Sequence, residues 1–100
     1  STRELYVTPA KSAAPTNANV SSSASNVTLI AANANRKGFT IYNDSAEVLY
    51  VKFGATASTT SFNVKMAPGS LYESNAGVNY TGIIDGIWAA ADGAARVGEF

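Results

Sequence analysis

The chain has 100 residues, with seven Lys plus Arg against seven Asp plus Glu, and neither histidine nor cysteine. Without those two residue types it cannot by itself build a Ser-His or Cys-His nucleophile, a His-ligated metal, a disulfide or a Cys-based zinc centre. The charges balance to zero and are scattered, Arg36-Lys37 being the sole adjacent basic pair, so there is no stripe of the kind that displaces counterions from nucleic acid.

A chain of this length carries one domain. Its first segment holds a short apolar island, Leu5-Tyr6-Val7, followed from Thr8 to Asn26 by little but Ser, Ala, Thr, Asn and Pro, with Pro9 and Pro15 as breakers. Such composition buries too little apolar surface to offset ordering costs of about 1–2 kcal/mol per residue. Residues 1–26 are therefore expected to form an extended N-terminal arm, with Leu5, Tyr6 and Val7 as its partner-binding anchor, adding a strand to a sheet edge. No apolar run approaches the roughly 18–20 residues of a membrane span, and no charged segment precedes an apolar core at the N-terminus. Synthesis in the cytoplasm and no membrane partner are the expectation.

From Val27 the texture changes to short runs rich in β-branched and aromatic residues, separated by Gly, Asn, Asp and Pro. Strands are predicted near Val27–Ala31, Gly38–Asn43, Glu47–Phe53, Phe62–Met66, Ser70–Ser74, Thr81–Ala89 and Ala94–Phe100. About seven short antiparallel strands imply an all-β body, a compact β-sandwich or small barrel over residues 27–100. The period of two puts Leu49, Val51 and Phe53 on one face, and Phe39 with Ile41 on another. Phe62, Val64 and Met66 likewise share a face. Asn43-Asp44-Ser45 supplies turn chemistry, which predicts a hairpin over Gly38–Phe53. Pro68-Gly69 fits the centre of a type II turn, and Asp92-Gly93 a further turn. The alanine-rich Trp88–Ala95 segment is read as two strands about that turn, since glycine within a helix costs about 1 kcal/mol relative to alanine.

Little in the chain carries chemistry. Asp85 and Asp92 are the one close carboxylate pair of the C-terminal half, but each precedes a glycine and reads as a turn residue rather than a glycosidase acid. Asp44, Asp85 and Asp92 are too isolated in sequence for a calcium loop, and Gly82 and Gly86 lack the setting of a phosphate loop. Arg36-Lys37 reads as a solvated turn. Asn19-Val20-Ser21, Asn26-Val27-Thr28, Asn43-Asp44-Ser45 and Asn79-Tyr80-Thr81 match the glycosylation triplet, which a chain so rich in Asn, Ser and Thr produces by chance. The aromatics Tyr42, Tyr50, Tyr72, Tyr80 and Trp88 are candidates for an interface or for stacking on sugars, against the alternative that they pack within the sheets. No catalytic residue, metal or cofactor is expected.

The order and spacing of four pieces carry a family resemblance. They are Ala34-Asn35-Arg36-Lys37-Gly38-Phe39-Thr40-Ile41-Tyr42-Asn43, Leu49-Tyr50-Val51-Lys52-Phe53-Gly54, Ala67-Pro68-Gly69, and Gly86-Ile87-Trp88 with the closing Ala94-Ala95-Arg96-Val97. Together they resemble a family of small bacteriophage structural proteins. The resemblance implies a virion component made in the host cytoplasm, non-enzymatic and homo-oligomeric, with the major capsid protein or other virion proteins as partners. A decoration or cement protein that reinforces the capsid lattice is the first expectation, because an extended N-terminal segment laid across capsid subunits is common in such proteins. A neck or tail adaptor and a carbohydrate-binding adhesion module are the alternatives.

Overall fold

The computed structural model describes residues 15–74 and 79–100. The described residues form eight strands and no helix: β1 (Thr16–Ser21), β2 (Val27–Ile30), β3 (Phe39–Asp44), β4 (Leu49–Phe53), β5 (Val64–Met66), β6 (Leu71–Glu73), β7 (Ile84–Trp88) and β8 (Ala94–Glu99). They make two antiparallel four-stranded sheets, β1-β8-β3-β6 and β2-β7-β4-β5. The first four strands thus pair with the last four in reverse order: β1 with β8, β2 with β7, β3 with β6 and β4 with β5. A ribbon of paired strands rolled up in this way is a jelly roll, which closes a β-sandwich around one core.

That core lies between the sheets and is supplied by the inward-facing alternate residues. Leu49 and Val51 of β4, Phe39 and Ile41 of β3, Ile84 and Trp88 of β7, and Ala95 and Val97 of β8 form it, together with Leu29, Ile30 and Met66. The period-two readings of β3 and β4 hold here. Phe62 departs from its reading: it lies in the loop before β5, is 39% exposed, and rests on the outward Tyr50 ring at 5.0 Å.

Two expectations fail on connectivity. The segment Thr16–Ser21, expected within the arm, is an edge strand in register with β8 from Thr16↔Glu99 to Ser21↔Ala94. Its sequence disguises it because only one of its faces meets the core, through the half-buried Val20. The Gly38–Phe53 hairpin is also absent, since β3 and β4 lie in opposite sheets and the turn between them carries the chain across the sandwich. Among the described strands, β4 and β5 are the one sequential pair that also pairs in space. Leu5, Tyr6 and Val7 lie outside the described residues.

The turn residues themselves act as their chemistry requires. Ser70 N–H donates to Ala67 O at 3.1 Å across Pro68-Gly69, and Gly69 holds φ at 77°, the left-handed value that the third position of a type II turn needs. Gly93 has φ at 76°, and a Cβ there would lie 2.3 Å from the Asp44 carbonyl oxygen, so both conformation and space reserve it for glycine.

A buried polar side chain closes each end of the sandwich. At the end where β8 finishes, Arg36 is only 2% exposed rather than part of a solvated turn. Its guanidinium donates to Glu99 Oε2 at 3.1 Å, Ala31 O at 2.6 Å, Tyr80 O at 2.7 Å and Gly82 O at 3.1 Å, and lies 5.5 Å from the Phe39 ring centroid. At the opposite end Asn43, fully buried, donates to the carbonyls of Glu47, Met66 and Ala67 at 2.8, 3.1 and 3.2 Å. Its Oδ1 accepts from Ser45 Oγ at 2.7 Å and from Trp88 Nε1 at 3.2 Å.

Candidate functional site

The two outer faces differ. On the β2-β7-β4-β5 sheet the 54–63 loop folds back as a strap. Ala57 N–H donates to Asn26 Oδ1 at 2.8 Å, Lys52 Nζ donates to Ser61 Oγ at 2.7 Å, and Phe62 covers Tyr50. Asp85 points to this face by alternation with Ile84 and Gly86, and it is 2% exposed. It is a mid-strand residue of β7, not the turn residue expected, and its Oδ1 has no hydrogen-bond partner among the described residues. Asp92 sits exposed in the β7–β8 turn, so the two carboxylates belong to different settings. No group of three Asp or Glu side chains converges among the described residues.

Among the described residues the β1-β8-β3-β6 sheet carries no strap. Alternation turns Asn17 and Asn19 of β1, Arg96 and Gly98 of β8, Thr40 and Tyr42 of β3, and Leu71 and Glu73 of β6 outward. Register places them in two adjacent rows that cross the whole sheet: Asn19–Arg96–Tyr42–Leu71 and Asn17–Gly98–Thr40–Glu73. Gly98 leaves the centre of the second row without a side chain. A Cβ there would stand 2.8 Å from Thr40 Oγ1 and 3.4 Å from Asn17 Oδ1, so its absence opens a shallow groove of about 360 Å³. Leu71 is 56% and Tyr42 38% exposed on its rim.

Electrostatically the groove is nearly neutral. Arg96 lies in it, but Asp44 Oδ2 holds its Nε at 2.9 Å and its Nη2 at 2.8 Å. With both partners about half exposed, water screens the pair and its contribution to stability is small. Its effect is to fix the plane of the guanidinium beside Tyr42.

The aromatic candidates from the sequence do not form one platform. Tyr42 alone stands exposed on the open sheet. Tyr50 belongs to the strapped face, where Lys65 Nζ approaches its ring centre to 5.8 Å. Tyr72 faces inward against Phe39 and Phe53, both at 5.9 Å, and Tyr80 stacks on Phe53 at 5.5 Å. Trp88 is 1% exposed and tied to Asn43, which removes it as a binding residue. Sequence reasoning did not single out Asn17, Leu71 or Gly98, and it met Asn19 only in a glycosylation triplet and Arg96 only in the family resemblance. The parity of Arg96 and Gly98 against the apolar Ala95 and Val97 is the signal that would have found the groove's centre.

Compared with protein-family models, with curated proteins and with solved structures, the chain finds no match.

Proposed function

We propose that this chain is a non-enzymatic structural protein of a phage virion, a homo-oligomeric decoration protein held to the capsid lattice by its N-terminal residues. The observation that carries the reading is the position of β1. Among the described strands it is an edge strand whose one neighbour is β8, and it follows residues 1–14 in sequence. Continuing that extended course onto a neighbouring subunit needs no rearrangement of the body, and strand addition at a partner's sheet edge would supply backbone hydrogen bonds. The jelly-roll strand order adds support by architecture, since that roll recurs in viral capsid domains, though a fold by itself hosts many functions. The four sequence pieces that resemble small phage structural proteins point the same way.

The test uses capsids that lack this protein. The full chain and a version without residues 1–14, which retains β1, are each mixed with them and the bound mass is measured. Binding by the full chain alone, at a copy number matching the lattice, is the expected result. Equal binding by both chains, or by neither, overturns the tether. A ring of few copies per particle places the protein at the neck or tail instead.

A further inference from the structure

We infer that the groove on the β1-β8-β3-β6 sheet is a binding site for a neutral oligosaccharide. This goes beyond the virion reading and does not depend on it.

The groove divides chemically along its length. One half is apolar and ring-shaped, Tyr42 beside Leu71; the other is a field of planar polar groups, the amides of Asn17 and Asn19 and the Arg96 guanidinium. A sugar ring has that same division, a C–H face that packs on an aromatic ring and an edge of hydroxyls that both donate and accept. Asn supplies donor and acceptor from one side chain, and the Arg96 N–H groups not used by Asp44 supply donors only. Four strands at about 4.8 Å spacing make each row about 14 Å long, enough for a short oligosaccharide lying across the strands. The volume falls within the roughly 300–1,000 Å³ of small-ligand sites, with a few placed polar groups among apolar ones.

Charge decides against other ligands. Asp44 neutralises Arg96 and Glu73 ends the second row, so a phosphate or sulfate would find no uncompensated cation among the described residues of the groove. A protein interface of ordinary size buries about 800 Å² per partner around an apolar centre, whereas the apolar part of this face is Tyr42 and Leu71 alone, to one side, with Arg96, Thr40 and Gly98 on the central strands. The Arg96 side chain is also held. It neighbours Tyr42 on the paired central strands, and the Asp44 bonds orient the guanidinium, so this group loses little freedom on binding.

The experiment is an amide-resolved NMR titration of the full chain with three neutral hexasaccharides, of α1,4-linked glucose, β1,4-linked glucose and β1,4-linked N-acetylglucosamine, at millimolar concentration. A heparin hexasaccharide serves as the anionic probe. The expected result is that at least one neutral probe shifts the amides of Asn17, Asn19 and Gly98. Tyr42→Ala should then bind it about tenfold more weakly, while Tyr50→Ala on the strapped face binds as before, and both variants keep native spectral dispersion. The inference is overturned if none of the three neutral probes shifts these amides, if Tyr42→Ala binds unchanged, or if heparin binds more tightly than all of them. It is equally overturned if Tyr42→Ala or Leu71→Ala turns an oligomer into a monomer, which would make the face a protein interface.

Discussion

The two ends of the sandwich are closed by the same device built from different chemistry. At one end a charged side chain, Arg36, gathers three backbone carbonyls and a carboxylate; at the other a neutral one, Asn43, gathers three carbonyls, a hydroxyl and the indole N–H. Both bridge segments distant in sequence. They differ in what failure leaves behind. Without Arg36, the Glu99 carboxylate, 21% exposed, loses its counter-charge in a partly desolvated place. Without Asn43, only neutral groups are stranded. Charged closure is therefore stronger and less forgiving than neutral closure, because desolvating an unpaired ion costs more than desolvating an amide.

The first way to break that comparison is Arg36→Ala, which should destabilise the fold by about 3–5 kcal/mol in urea unfolding. A loss below that of Asn43→Ala would reverse the ranking. Arg36→Lys should recover little of it, since one ammonium cannot reach partners arranged around a planar fork. Next comes Asn43→Ala, at about 2–4 kcal/mol, read both by unfolding and by the near-ultraviolet signal of Trp88, whose N–H loses its acceptor. Asn43→Asp sharpens the point: Trp88 keeps its acceptor, but three donated bonds become carbonyl–carboxylate repulsions, so the loss should match or exceed that of alanine. Glu99→Gln keeps an acceptor near Arg36 but leaves its buried guanidinium without a counter-charge, and should cost about 1.5–3 kcal/mol. The smallest effect is expected from Ser45→Ala at the neutral end, about 0.5–1 kcal/mol, since Asn43 retains its other partners. A ranking in which Ser45 matters more than Glu99 would show that charge is not what distinguishes the two ends.

The strapped face offers a separate check of opposite sign. Asp85 is buried with one oxygen unpaired, so Asp85→Asn, which can turn a donor toward neighbouring acceptors, should raise stability or leave it unchanged. A loss above about 1 kcal/mol would mean that the carboxylate is held by a partner outside the described residues.

Much of the body was legible in the sequence because strand alternation and turn chemistry are local. Leu49, Val51, Phe39 and Ile41 announced the core, and Gly69 and Gly93 their turns. What was not legible was long-range. The triplet Asn43-Asp44-Ser45 carries the same turn chemistry whether the chain returns beside itself or crosses to the opposite sheet, so nothing local separates a hairpin from a crossing. Arg36 looked solvated because its immediate neighbours, Asn35 and Lys37, are polar; the partners that bury it are 44 and 46 positions away at Tyr80 and Gly82 and 63 away at Glu99. The groove suffered twice. One of its walls, Asn17 and Asn19, lies on a strand whose polar composition resembles a linker, and its floor is a glycine, a residue that marks a space by leaving it empty.

The reverse-order pairing also sets the timing of folding. Since β1 needs β8 and β2 needs β7, loop closure must span nearly the whole chain before either sheet is complete, and folding should be slow for so small a protein. While a ribosome still holds the residues of β8, the first sheet lacks one of its two central strands. The body therefore cannot settle before β8 is free, and β1 waits for its partner until then.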